Sequence, residues 1–226
     1  VGANLAALAT IGVAFVIRPL GAIIFGHLGD RIGRRTVLIV TITMMGVATG
    51  LIGVLPTYEQ AGWLGAVLLV LLRVLQGVSL GGEWGGAVLI ATEHETRANR
   101  AFAAAMPQLG SPIGSILAAV AFLWLTLSLS SAEISEWAWR VPFLTAIPLL
   151  AISLYLRLAI TETPVFTAVK DAGRAPRIPL AALLRAQPVT IVVAVGVALL
   201  GIGSYSLMNT YTINYGAAVL GFDYYE

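Results

Sequence analysis

Apolar stretches of about 20 residues recur along this chain, and they constrain its fold more than any other feature. A helix needs about 20 apolar residues to cross the hydrocarbon core of a bilayer. Six stretches reach this length: 3–26, 36–55, 62–91, 101–128, 139–160 and 188–213. Of the 226 residues, 58% are hydrophobic and 11% are charged, whereas an ordinary soluble domain has roughly 25% charged residues. The sequence therefore predicts an all-α membrane protein and excludes a soluble globular domain or a disordered chain.

Basic residues are distributed unevenly among the connections between these stretches. Connections 27–35, 92–100 and 157–187 together hold ten Lys and Arg residues, whereas the alternating connections 56–61 and 129–140 hold one. Because cytoplasmic loops carry the excess of basic residues, we expect the three basic connections on the cytoplasmic side and both chain ends outside. This pattern predicts a multi-pass protein of the cell membrane. The lipid bilayer is its expected surroundings, and we expect no nucleic-acid partner.

The connection 161–187 is the longest of these and contains three prolines. It predicts a central cytoplasmic loop between a bundle at 1–160 and the first helix of a second bundle at 188–226. Five spans precede this loop, the first entered from outside, and the chain does not begin with Met. We therefore expect a fragment that lacks one upstream helix and most of the second bundle. Its first residues do not resemble a signal peptide.

Composition also limits the chemistry available to the chain. There is no cysteine, which excludes disulfides, iron–sulfur clusters and thiol catalysis. The two histidines, His27 and His94, lie at cytoplasmic connections, so neither a histidine-rich metal site nor a serine–histidine pair at membrane depth is expected. A phosphate-binding loop of the form G-x-x-x-x-G-K-[ST] is also missing from this chain. We expect neither an enzyme nor a bound cofactor.

The first cytoplasmic connection carries the most specific motif, GHLGDRIGRR at residues 26–35. Gly26, Gly29 and Gly33 permit a tight turn at a helix end. Asp30 can accept hydrogen bonds from the N-terminus of a neighbouring helix. The arginines of the motif can form bidentate pairs with carboxylates; they are Arg31, Arg34 and Arg35.

This motif, G-x-x-x-D-R-x-G-R-R, resembles the signature between the second and third helices of the major facilitator superfamily. RPLGAIIFGHLGD, LLRVLQGVSLGGEWGGA, WRVPF and ETPVF resemble its metabolite:proton symporter branch, which carries organic acids, shikimate, proline and betaines. The resemblance covers nearly the whole chain. It implies the second to seventh of twelve helices of a transporter, monomeric in full length, that works by alternating access with the proton as coupling ion.

Polar residues inside the spans mark a candidate substrate pathway. At 100° per residue, Gln76 and Glu83 lie within about 80° of Arg73 on one helix. Charges at this depth are costly unless they face a cavity or one another. We expect Arg73 to face the cavity and attract an anion, with a fixed internal counter-charge as the alternative; the resemblance also links it to coupling. Glu83 is either a proton carrier or, as we expect, the ion-pair partner of Arg18, which lies at matching depth on a helix of the same direction.

Further positions extend this pathway and its packing. Gln108 is expected to face the cavity, and Tyr205, Asn209 and Thr212 share one face of the last span, which indicates a wet cavity or, alternatively, packing. Glycines at four-residue spacing predict close approach of helices. They are Gly77, Gly81 and Gly85, doubled by Gly82 and Gly86, with Gly110 and Gly114 in the next span.

At the cytoplasmic side, the resemblance implies an ion-pair network that serves as a gate. It ties Arg31, Arg34 or Arg35 to Glu93, Arg100 and Glu162. Surface ion pairs contribute only about 0–1 kcal/mol each, so such a network is expected to serve switching rather than stability. A solvated basic face that only sets topology is the alternative.

The predicted function is secondary active transport of a small polar metabolite, an organic acid or a zwitterion, by proton symport. Uniport or antiport by the same fold stays open. A membrane sensor built on a transporter scaffold is a further alternative, although such a protein would not need an intact gating loop.

Overall fold

The computed structural model describes residues 2–163, 166–168 and 184–218, without the side chains of 2–9, 11 and several residues beyond 201. Every regular element in these ranges is helical. The helices are α1 (Gly2–Ile32), α2 (Arg34–Ile52), α3 (Tyr58–Ala61), α4 (Trp63–Glu93), α5 (Arg100–Ala105), α6 (Gly110–Ser128), α7 (Ser131–Glu136), α8 (Val141–Leu144), α9 (Ala146–Ala159) and α10 (Pro188–Ala218), with 3-10 turns at Met106–Leu109 and Ala138–Arg140.

Five helical stretches are long and apolar enough to cross a membrane. They are Gly12–Ile32, Arg34–Ile52, Trp63–Glu93, Arg100–Ser128 and Ala138–Ala159, followed by a shorter apolar stretch at Pro188–Gly201. The all-helical membrane fold predicted from the sequence is confirmed over the described residues. The span at Arg100–Ser128 is interrupted by the 3-10 turn, where Pro107 lacks the N–H that a continuous helix needs.

The chain divides into two compact units, Val1–Ala175 and Pro176–Glu226. In the first unit, α4 packs along α1 and α2, and α9 packs against α2. In the second unit, α10 begins at Pro188, a residue well suited to a first helical position because its missing N–H would be unbonded there anyway.

Glycines of α4 bring it into close contact with α1. A side chain at Gly81 would collide with the backbone carbonyl of Arg18, and one at Gly82 would collide with Phe25. Gly77 lies in the same way against Ala14 of α1. Because side chains are missing at these positions, the two backbones approach as the glycine spacing predicts.

The glycine pattern does not have the same role throughout. Gly86 faces α2, where a Cβ would lie 3.0 Å from a methyl carbon of Leu38. A Cβ at Gly85, Gly110 or Gly114 would meet open space among the described residues. The described residues therefore show no packing partner for these three, since spacing defines a helix face but not whether another helix covers it.

Candidate functional site

The motif at residues 26–35 forms a single-residue break between two helices rather than an extended turn. α1 continues to Ile32 and α2 begins at Arg34. The amide of Gly33 donates to the carbonyl of Gly29 at 3.2 Å, and the carbonyl of Gly33 accepts from the amide of Val37 at 3.3 Å. The expectation that Gly26 and Gly29 form a turn is therefore wrong, because both lie within α1 and one residue suffices to end the helix.

Gly33 has the backbone conformation that makes this break. Its φ of 102° and ψ of 147° lie in a region that essentially only glycine adopts. A Cβ at Gly33 would collide with the carboxylate of Glu162, and it would lie 3.5 Å from the ring of Phe166. Glycine is thus required here both for its conformation and for the space it leaves.

Glu162 uses that space to cap the N-terminus of α2. Its Oε1 accepts hydrogen bonds from the amides of Arg34 at 3.1 Å and Arg35 at 3.3 Å, and its Oε2 accepts from the amide of Arg35 at 3.2 Å. The first amides of a helix have no acceptor within the helix, and this end favours negative charge. A carboxylate that follows α9 in sequence therefore completes the start of α2.

Two side-chain contacts of the arginines join the same helices. Arg34 forms an ion pair with Glu93 at the end of α4, and the charges of Asp30 and Glu162 lie close enough to act on it electrostatically. Arg35 donates from Nη2 to the carbonyl of Leu158 in α9 at 2.7 Å. We call Gly33, Arg34, Arg35, Glu93 and Glu162 the cytoplasmic cluster, after the side of the membrane that the basic connections predict; it connects α2, α4 and the end of α9.

Arg100 lies outside this cluster, contrary to the expected network. Its Nε donates to the backbone carbonyl of Glu95 at 3.4 Å. Glu93 and Arg100 are seven positions apart, a spacing that would place them on one face of a continuous helix. However, α4 ends at Glu93 and a new helix begins at Arg100, so the two side chains do not share a helical face. Arg31, exposed in the last turn of α1, stays a prediction as a gate residue.

Within the membrane region, Arg73 and Gln76 form a polar chain that reaches α2. Arg73 donates from Nη1 to Oε1 of Gln76 at 3.1 Å, and Gln76 donates from Nε2 to Oγ1 of Thr49 at 2.7 Å. Gln76 is buried, and Nε of Arg73 is buried without a hydrogen-bond partner among the described residues. Arg73 therefore has donor capacity left within the bundle.

Glu83 pairs with Arg157 rather than with Arg18. Nη2 of Arg157 lies 3.4 Å from Oε1 of Glu83, whereas the guanidinium of Arg18 lies over the ring of Phe15, 3.9 Å from its centroid. The expected Arg18–Glu83 pair is therefore wrong. Matching depth does not bring the two side chains together, because α1 and α4 touch through the backbone of Arg18 at Gly81.

The remaining predicted residues are placed as follows. Oε1 of Gln108 accepts a hydrogen bond from the indole N–H of Trp84 at 3.1 Å, and both side chains are exposed. The side chains of Tyr205, Asn209 and Thr212 lie outside the described part of the structure. Over that described part, no group of three or more acidic or histidine residues is arranged to hold a metal ion.

Sequence reasoning missed two members of these arrangements, Arg157 and Thr49. Arg157 was assigned to the cytoplasmic loop, although an arginine within the predicted span 139–160 was itself a signal of a buried partner. Thr49 gave no signal, since threonine in a membrane helix commonly bonds its own backbone, as Thr49 also does with the carbonyl of Met45 at 2.8 Å.

Comparison with known proteins gives consistent matches. The model of the Major Facilitator Superfamily matches residues 1–226. The chain is 42% identical over 213 residues to the inner membrane metabolite transport protein YhjE of Escherichia coli (strain K12), covering 94% of this chain and 46% of that protein. It is 36% identical over 220 residues to the shikimate transporter of the same strain, covering 96% and 50%.

A third curated relative and a solved structure complete the comparison. The proline/betaine transporter of E. coli (strain K12) is 41% identical over 161 residues, covering 71% of this chain and 32% of that protein. The chain thus spans half of the length of these curated relatives or less. The fold is similar to the proton:xylose symporter XylE bound to 6-bromo-6-deoxy-D-glucose, with a TM-score of 0.67 and 16% identity over 78% of this chain and 39% of that one.

Proposed function

Because this chain belongs to the Major Facilitator Superfamily, we propose that it supplies the second to seventh of twelve membrane helices of a secondary transporter. Residues 1–160 form most of the first bundle, 161–187 the central cytoplasmic loop, and 188–226 the start of the second bundle. The chain is a multi-pass protein of the cytoplasmic membrane, and its family consists of transporters rather than enzymes. Two bundles that rock about a shared site provide alternating access.

The cytoplasmic cluster is the observation that carries the proposal. It fastens the ends of three helices through an ion pair and a carboxylate-capped helix start, and Gly33 leaves the space for it. Contacts of this kind can exchange partners during a rearrangement of the helices. We place the gate of the transporter at this cluster, with Asp30 and Arg31 at its edge.

The substrate is proposed to be a small metabolite that carries a carboxylate. Arg73 and Arg18 have no acidic partner among the described residues, and an arginine at membrane depth favours an anionic ligand. Shikimate, proline and betaine, after which two of the relatives are named, share a carboxylate group. Gln76 orients Arg73 by their hydrogen bond, while Gln108, Tyr205 and Asn209 are proposed to line the path.

Proton symport is tested with the intact transporter in proteoliposomes. Radiolabelled shikimate, proline and glycine betaine are the probes, with and without an inside-alkaline pH gradient. We expect at least one probe to accumulate above equilibrium only when the gradient is imposed. Equilibration that ignores the gradient would indicate a uniporter, and uptake that requires an outward gradient of a second solute would indicate an antiporter. If no probe enters, the assignment of a carboxylate substrate is wrong.

Single variants test the residues of the pathway. Arg73→Gln is expected to abolish uptake of the transported probe while the protein still inserts, because the anion loses its counter-charge. Arg97→Gln removes an exposed arginine of the cytoplasmic connection and is expected to keep wild-type uptake. Equal uptake by both variants would contradict the role of Arg73.

A further inference from the structure

Glu83 and Arg157 form a link within the first unit that is separate from the cytoplasmic cluster. Their carboxylate and guanidinium are 3.4 Å apart, and the two side chains are 22% and 21% exposed. α4 and α9 each pack against α2, so the pair joins two helices that share a neighbour. Glu83 lies ten residues before the end of α4, about 15 Å along the helix axis at 1.5 Å per residue. The carboxylate is thus inside the span and partly exposed among the described residues.

The contact between the two groups is weak for an arginine–carboxylate pair. Such bonds are usually about 2.7–2.9 Å long and often come in parallel pairs, whereas Glu83 and Arg157 share one contact of 3.4 Å. Glu162, in contrast, accepts several amide hydrogen bonds of 3.1–3.3 Å. A carboxylate held by a single long contact gives up its partner more readily than one fixed by several bonds.

Arg157 is the charge that acts on Glu83 in the described structure. Other titratable or charged groups on α4's neighbouring helices are Arg18, His27, Asp30 and Arg31 of α1, Arg34 and Arg35 of α2, Glu59 of α3 and Arg100 of α5. Of these, four arginines have contacts to groups other than Glu83, namely Arg18, Arg34, Arg35 and Arg100. Removal of the negative charge of Glu83 therefore leaves Arg157 without an acidic partner among the described residues.

We infer that Glu83 is the proton-binding residue of this transporter and that Arg157 is the counter-charge that it exchanges for the proton. The inference rests on the proposed function and deepens it. In the step, a proton from water forms an O–H bond with the Glu83 carboxylate and the contact with Arg157 breaks. Loss of the proton to water on the other side restores the ion pair, so charge and atoms balance.

The position of Arg157 connects this step to the gate. Leu158, the next residue, accepts the hydrogen bond from Arg35, and Glu162 follows five residues after Arg157 and caps α2. Release of Arg157 therefore removes a contact that holds the end of α9, next to Leu158 and five residues before Glu162.

Infrared titration tests proton binding without any substrate. The purified intact transporter is titrated with acid while the C=O stretch of protonated carboxyl groups is followed. Glu83→Gln should remove one titrating band, and Arg157→Gln should move that band's midpoint to higher pH by about one unit, a tenfold gain in proton affinity. Glu59→Gln, which removes an exposed carboxylate of α3, is the matched control and should leave this band in place. A spectrum unchanged by Glu83→Gln would overturn the inference.

A transport measurement supplies the second readout, with the probe that the wild type accumulates. In Glu83→Gln, the ratio of gradient-driven accumulation to exchange should fall at least about tenfold, within the usual range of coupling between sites. The double variant Glu83→Gln/Arg157→Gln, which leaves no unpaired charge, should show the same loss even if the single variant folds poorly. Full gradient-driven accumulation by the double variant would refute the inference, whereas a wild type that moves no probe would refute the proposed function and leave the infrared result standing.

Discussion

Substitution of Gly33 by alanine tests the geometry on which the cytoplasmic cluster depends. The change places a Cβ where the Glu162 carboxylate lies and asks alanine to adopt φ 102°. Strain in such a backbone region costs about 1–3 kcal/mol. Displacement of the carboxylate loses at least one charged hydrogen bond to an amide of α2, about 1.5–3 kcal/mol. We therefore expect the free energy of unfolding to fall by about 2.5–6 kcal/mol in total.

Gly26→Ala is the matched control, because it makes the same chemical change in the same motif. Gly26 lies within α1, and a Cβ there meets nothing within 4 Å in the part of the chain that the structure describes. Alanine is a better helix former than glycine, so this variant should gain about 0.5–1 kcal/mol. Sequence alone does not distinguish the two glycines; the structure predicts effects of opposite sign.

Equilibrium unfolding of the intact protein in mixed detergent–SDS micelles, followed by tryptophan fluorescence, measures both free energies. Combination of Gly33→Ala with Glu162→Ala separates the two contributions. If the Cβ displaces the carboxylate, the double variant should lose less stability than the sum of the single changes, since the collision is then removed. Unfolding free energies of the Gly33 and Gly26 variants within about 1 kcal/mol of each other would refute the reasoning, because that is less than the strain expected at Gly33 alone.

Two further predictions use the same unfolding measurement. Gly82→Leu should separate α1 from α4 and cost at least about 1–3 kcal/mol, whereas Gly85→Leu, which meets open space, should stay within about 0.5 kcal/mol of wild type; equal losses would contradict the packing. A double-mutant cycle of Arg34→Gln and Glu93→Gln should give a coupling of about 0.5–3 kcal/mol. The cycle of Arg97→Gln and Glu93→Gln should give no coupling. A larger coupling for Arg97 than for Arg34 would show that Arg34 is not the partner of Glu93.

The helices could be predicted from the sequence because the length of an apolar stretch is a local property. A span such as Trp63–Glu93 has to satisfy its own backbone in the bilayer, and no other segment is needed to recognise it. The basic motif at 26–35 could likewise be recognised from its own residues, without reference to another segment. What spacing cannot give is the rotation of one helix relative to another, so it assigned Glu83 to Arg18 when Arg157 of a third helix was the nearer cation.

The partners of Glu162 show a second limit. The residue was predicted to join an ion-pair network with the arginines, and it does lie beside Arg34 and Arg35. Its hydrogen bonds, however, go to their backbone amides rather than to their side chains. A motif specifies side chains, whereas the free amides at a helix start are a property of where the helix begins. The one-residue break at Gly33 that creates this start could not be read from a motif with three glycines.

The cap on α2 also sets an order for the synthesis of this protein. The amide of Arg34 and the carboxylate that accepts from it are 128 positions apart in the chain. Translation at about 5–20 residues per second places Glu162 on the ribosome roughly 6–25 seconds after Arg34. During that interval the first amides of α2 cannot bond the Glu162 carboxylate. The start of α2 is therefore completed only after the segment that follows α9 has been made, and a chain that stops short of Glu162 leaves α2 without this cap.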